Sequence, residues 1–187
     1  MELYLERGFE NATVAEIAER AGLTERTFFR HFADKREVLF SGSSAAMDLL
    51  VQTAVDAPTS ASPMEAVATG LEAVGAILQQ RGRYVQRRQK VIGANAELRE
   101  RELIKMASWA SALADALRQR GVADPAAALT AEAGIAVFRV AFERWVKQPK
   151  TQDLPLLIRE SLDQLRAVTT GQVGRQGPIR RTPITRR

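Results

Sequence analysis

Near the start of the chain two helix signals stand three residues apart, and that spacing admits few folds. In "TVAEIAERAGLTERTFFRHF", residues 13–32, Thr13 and Glu16 have the spacing of a capping box. The threonine hydroxyl accepts from the third helical amide, and the glutamate reaches back to the cap. Val14, Ile17, Ala18 and Ala21 follow at i, i+3, i+4 and i+7, one buried stripe of a two-turn helix. Gly22 ends it, and Thr24 caps a second short helix over 25–31, with Leu23 and Phe28 placed as a hydrophobic staple. Two capped helices joined by Gly22-Leu23-Thr24 make a helix-turn-helix. Its second helix is suited to the major groove of DNA.

The residues of that second helix divide by face. Phe28 and Phe32, four apart, are expected to fill the small interior, while Arg26 and Arg30 share another face. A guanidinium there can pair with guanine O6 and N7, and Thr27 suits a base edge or a phosphate. His31 and Lys35, beside the start of the next helix, are expected to hold phosphate, which a helix N-terminus favours. "DKRE" at 34–37 reads as another capping box, opening a helix that continues through Gly42 to Val55.

After a break at "DAPTSASP", 56–63, helical periods recur over 64–80, 82–93 and 96–120, with Gly121 as a stop. Asp124 as cap and Pro125 at the first position restart a helix that runs to Val146. A last one spans 154–168. No segment alternates as a strand does, so the expected fold is all-α. An N-terminal DNA-binding unit over 1–42 precedes a larger helical domain over 43–170 and a basic tail over 171–187.

Charge supports this less than its total suggests. The chain of 187 residues has a net charge of +5, but "GQVGRQGPIRRTPITRR" carries five arginines and no acid. The remainder holds 22 basic and 22 acidic residues, so the basic balance belongs to the tail, expected to be disordered. The run "RGRYVQRRQK" at 81–90 reads as a solvated helix face, or as a site for an anionic effector or DNA phosphates. No cysteine and a single histidine leave no metal site or thiol nucleophile, and no recognisable carboxylate motif stands in for them. Neither enzymatic activity nor a cofactor is expected. No apolar run approaches the roughly 20 residues of a membrane span, so a cytoplasmic protein without a membrane partner is expected.

Residues 3–40, "LYLERGFENATVAEIAERAGLTERTFFRHFADKREVLF", resemble the DNA-binding domain of the Tet repressor (TetR) family of transcriptional regulators. The landmarks are Gly8-Phe9, Thr13-Val14, Ile17-Ala18, Ala21-Gly22, Thr27, His31-Phe32, Lys35 and Leu39. "AELRERELIKMASWASALADAL" is similar to an effector-domain helix of the same family. The resemblance implies a homodimeric, ligand-responsive repressor on a palindromic operator of double-stranded DNA. The candidate DNA contacts are Thr13, Thr24, Arg26, Thr27, Phe29, Arg30, His31 and Lys35. Two departures stand out: the first helix is short for the family, and Phe29 stands where a phosphate-binding tyrosine is usual. They raise an alternative, a helical ligand-binding or interaction protein with an impaired DNA-binding unit.

The resemblance also implies a four-helix dimer interface built by the last two helices. Ile135, Trp145, Leu154, Ile158, Leu162 and Leu165 are its candidates, since the 125–146 helix is apolar on more than one face. A small-molecule effector, not identified by the sequence, is expected among the central helices. Tyr84, Met106, Trp109, Phe138 and Phe142 are the large side chains there.

Overall fold

The structure, a computed structural model, describes residues 1–148 and 152–171, all of whose regular elements are helices. The head comprises α1 (Glu2–Arg7), α2 (Val14–Arg20), α3 (Glu25–His31) and the single turn α4 (Glu37–Phe40). The body comprises α5 (Ser43–Val55), α6 (Pro63–Gln80), α7 (Gly82–Ala94), α8 (Ala96–Gln119), α9 (Ala126–Lys147) and α10 (Leu154–Thr169). The basic tail expected beyond Gly171 lies outside the described residues.

The body is a bundle in which α6 packs on α5, α9 and α10, and α8 packs on α5 and α9. Leu50, Leu71, Leu113, Leu117, Ile158 and Trp145 form its dry interior. Two glycines let helices approach closely. A Cβ on Gly134 would lie 2.4 Å from Val67 Cγ1, and one on Gly70 would lie 2.6 Å from the Leu50 carbonyl oxygen. Side chains there would push α9 and α5 off α6.

A second apolar cluster crosses the boundary between head and body. Leu3, Tyr4, Phe9, Ala12, Leu39 and Phe40 of the head pack with Val91, Ile92 and Leu98 from α7 and α8. The head therefore completes its core with the body, and α7 forms part of its wall.

Three local expectations are corrected. The helix expected to run unbroken from Asp34 to Val55 is interrupted at Ser41–Gly42, giving α4 and α5. Both residues keep right-handed dihedrals, so the chain bends there without reversing. Asp34 stands two residues before the N-cap of α4, Arg36, rather than at it, and accepts from the amides of Arg36 at 2.7 Å and Glu37 at 3.3 Å. Glu37 does not reach back to complete a box, because Arg101 and Lys105 of α8 take its carboxylate. Similarly, Asp124 does not cap α9. Arg118 holds both its oxygens at 2.9 Å, and the helix begins one residue later than expected, at Ala126.

Residues 37–55 come nearer to a membrane span than the sequence reading allowed, with 19 residues and a mean hydropathy of 1.3. The break at 41–42 and the packing of Leu50 and Ala54 against the bundle give this stretch another role.

Candidate nucleic-acid interface

Capping geometry sets the two short helices of the head. Thr13 Oγ1 accepts from the Glu16 amide at 3.2 Å, and Glu16 accepts from the Thr13 amide at 2.9 Å, completing the box. Those contacts, the Thr13 amide first, hold the Glu16 carboxyl below its usual pKa range. Gly22 takes a positive φ of 69°, and the Leu23 amide closes the turn on the Ala18 carbonyl at 2.8 Å. Thr24 Oγ1 then accepts from the Thr27 amide at 3.2 Å, opening α3. Leu23, expected to staple Phe28, is 44% exposed instead.

Phe28 is the inward residue of α3, 2% exposed, with the Phe29 ring edge-on at 5.4 Å and the Phe32 ring at 5.2 Å. The outward face carries Arg26, Phe29, Arg30 and His31, all exposed. Neither arginine has a carboxylate partner among the described residues; Arg30 Nη2 stands 3.5 Å from His31 Nε2. The other three arginines of the head are all paired: Arg7 with Glu16, Arg20 with Glu2 and Glu6, Arg36 with Asp34 and Glu97. Phe29 is 55% exposed, so this face offers two guanidiniums without acid partners around one aromatic ring. Thr24 opens this helix, its hydroxyl capping the Thr27 amide and lying 3.0 Å from Thr27 Oγ1, while the Thr13 hydroxyl caps α2.

Lys35 corrects the expectation of a phosphate anchor. Its ammonium donates to the carbonyls of Phe9 at 2.9 Å, Glu10 at 3.0 Å and Ala12 at 3.0 Å, and it lies 4.6 Å from the Phe9 ring centre. All three N–H groups are spent on the α1–α2 loop, so none remains for DNA. The Lys35 carbonyl accepts from the Tyr4 hydroxyl, whose pKa is pushed above the usual range, first by burial and then by Asp34. The helix start that was to favour phosphate beside His31 is already satisfied by Asp34.

The head is tied to the body by contacts between residues far apart in sequence. Glu37 accepts from Arg101 Nε at 2.9 Å and from Lys105 Nζ at 3.2 Å. Burial alone would raise the Glu37 pKa, but hydrogen bonds from Arg101 and Lys105, with their charges, outweigh it and hold it low. Arg88 is half-buried between the two parts, donating to the Leu39 carbonyl at 2.6 Å, pairing with Glu102 at 3.3 Å and stacking 4.9 Å from the Phe40 ring centre. Burial lowers its pKa, with Glu102 opposing.

The residues expected to hold an effector and to form the dimer divide between the bundle interior and a separate cleft. Trp109, Phe138 and Phe142 stack in sequence at 5.9 and 5.6 Å and fill the space between α8 and α9, with Met106 partly buried beside the same core. Tyr84 is separate, on a cleft between α7 and the head. Of the dimer candidates, Ile135, Trp145, Leu154, Ile158 and Leu162 are buried in the chain's own bundle and Leu165 packs against it. They are core residues because α9 turns its broad apolar face inward to α6 and α8, and α10 turns its own to α6 and α9. The outward face of α9 carries Leu129, Ala136 and Val140, and Leu156 of α10 is exposed as well.

Comparison with known proteins agrees with this architecture. Residues 1–41 match the model described as bacterial regulatory proteins, tetR family, and residues 61–170 match that of the MftR C-terminal domain. The HTH-type transcriptional regulator TcmR of Streptomyces glaucescens is 38% identical over 74 residues, 40% of this chain and 33% of TcmR. The match thus spans a third of that relative's length. Among solved structures, FadR of Thermus thermophilus, a transcriptional repressor in complex with lauroyl-CoA, aligns over 97% of this chain and 95% of its own, at 21% identity and a TM-score of 0.53. PfmR, a TetR family transcriptional regulator also from Thermus thermophilus, aligns over 88% of this chain and 92% of its own, at 23% identity and a TM-score of 0.49.

Proposed function

The chain belongs to the tetR family of bacterial regulatory proteins, and on that premise we propose that it is a ligand-responsive repressor binding a palindromic operator as a homodimer. One observation carries the reading of DNA sequence: on a doubly capped helix-turn-helix, Arg26 and Arg30 stand exposed and without acid partners on α3. Guanidiniums without acid partners on the second helix are what a major groove can use, since each can take guanine O6 and N7 together. Phe29 supplies apolar contact to a sugar or a thymine methyl, and Thr13, Thr24, Thr27 and His31 flank the phosphates. Lys35 acts through the fold of the α1–α2 loop.

Twofold pairing is supported by the outward stripe of α9, Leu129, Ala136 and Val140, and by the exposed Leu156 of α10. A symmetric dimer presents two copies of α3 to half-sites about one or more helical turns apart. Response to a small molecule is supported by the lauroyl-CoA complex of FadR, without naming this chain's effector. In the bundle it would have to part the stack of Trp109, Phe138 and Phe142. An effector acts by its differential affinity for forms with different spacing of the reading heads.

Selection of bound duplexes from a random library tests the reading. A recovered palindrome supports it. Recovery of no motif would favour a helical ligand-binding protein whose reading unit is impaired.

A further inference from the structure

The face of α7 turned from the bundle opens, with the head, onto a cleft of about 590 Å³. That lies within the range of small-molecule sites, roughly 300–1,000 Å³. Its floor is apolar, from Leu3, Ile17 and Val38 of the head. Its rim is cationic, from Arg83 and Arg87 of α7 and Arg20 of α2. Tyr84, 44% exposed, stands between the two α7 arginines in sequence and lines the same cleft.

The charges on this rim are unbalanced. Arg83 and Arg87 are one helical turn apart, so they share a side of α7, and neither has a carboxylate partner among the described residues. Like charges at that spacing repel and destabilise a helix slightly, a cost that an anion between them reverses. Arg20 is shared with Glu2 at 3.6 Å and Glu6 at 3.4 Å, so the acid lining the cleft, Glu2, faces the head's own arginine.

We infer that this cleft is a binding site for an organic anion with an apolar body. The carboxylate or phosphate head lies between Arg83 and Arg87, whose planar guanidiniums suit either oxyanion. The body covers Leu3, Ile17 and Val38, with the Tyr84 ring against its side. This site is separate from the aromatic stack of the bundle and requires no DNA. Because its walls come from both head and body, an occupant's affinity depends on how the two are placed.

Isothermal titration of the full chain, without DNA, decides the matter. The probes are decanoate and decyl phosphate, kept below their micellar concentrations, and neutral decanol, kept below its solubility limit. Saturable binding of either anion, with decanol failing to bind, supports the site, and the better anion identifies the head group. An Arg83→Gln/Arg87→Gln variant with an unchanged melting temperature should bind about tenfold more weakly or worse. Arg139→Gln, an exposed cation on α9, should bind as the parent does. The inference fails if neither anion binds saturably, if decanol binds as well, or if the double variant retains full affinity. DNA selection on the same protein remains independent of this result.

Discussion

Arg26 and Lys35 are both cations of the head, and their surroundings assign them opposite tasks. Arg26 is exposed and meets no acid, whereas the Lys35 ammonium is consumed by three carbonyls of the α1–α2 loop. Lys35→Met, which keeps the apolar stem, should therefore lower stability by about 1–3 kcal/mol by stranding those carbonyls. Thermal melting without DNA would register that loss, and an unchanged melting temperature would return Lys35 to the role of DNA anchor. Phe29→Tyr should do the reverse, leaving stability alone and tightening binding to all duplexes by about 1 kcal/mol through one phosphate hydrogen bond. Fluorescence anisotropy on matched and scrambled duplexes measures it. The Arg26–Arg30 face was legible in the sequence because i and i+4 fix a shared side of a helix. Lys35 was not, because its three acceptors are folded onto it from 23 to 26 residues away.

Among the elements, caps and periods read well and breaks read poorly. The Thr13 and Thr24 caps are local chemistry and stand where the spacing puts them. Gly42 permits a helix or a break, and packing of the head on α7 and α8 decides for the break. A Cβ on Gly42 would meet nothing within 4 Å, and its φ of −91° suits alanine. Gly42→Ala should thus be neutral or stabilise by up to about 1 kcal/mol. Gly134→Ala should cost about 1–3 kcal/mol, since its Cβ would meet Val67 at 2.4 Å. Urea denaturation of the two variants makes the comparison.

The contacts between α4 and α8 also give a pH dependence. The folded pKa of Glu37 lies below its unfolded value of about 4.3, so its contribution is complete above that value and disappears as pH falls through the folded pKa. Asp34, held low first by its hydrogen bond from Arg36, loses its contribution in the same direction. The melting temperature should fall on acidification below about pH 4, and less steeply in Glu37→Gln. Equal slopes in the two proteins would remove Glu37 from the account.

For the whole molecule, the sequence conveyed the helical class and the order of head and body, while the inward or outward sense of α9 and α10 stayed hidden. Both helices are apolar broadly enough that composition cannot say which stripe meets α6. The packing assigns Ile135, Trp145 and Ile158 to the chain's own core and leaves Leu129 and Val140 outside. Val140→Glu should accordingly leave the melting temperature nearly unchanged and convert a dimer to a monomer in sedimentation. A dimer that persisted would place the interface on another face.

The most direct test of sequence reading by α3 is anisotropy with the selected duplex and a scrambled one, for the parent and for Arg26→Ala/Arg30→Ala at fixed salt. The parent should prefer the selected duplex. The double variant, folded to the same melting temperature, should lose about 1–3 kcal/mol of discrimination per base-reading arginine while still binding both duplexes through phosphate contacts. A double variant that kept the parent's preference would show that the outward arginines of α3 do not read DNA.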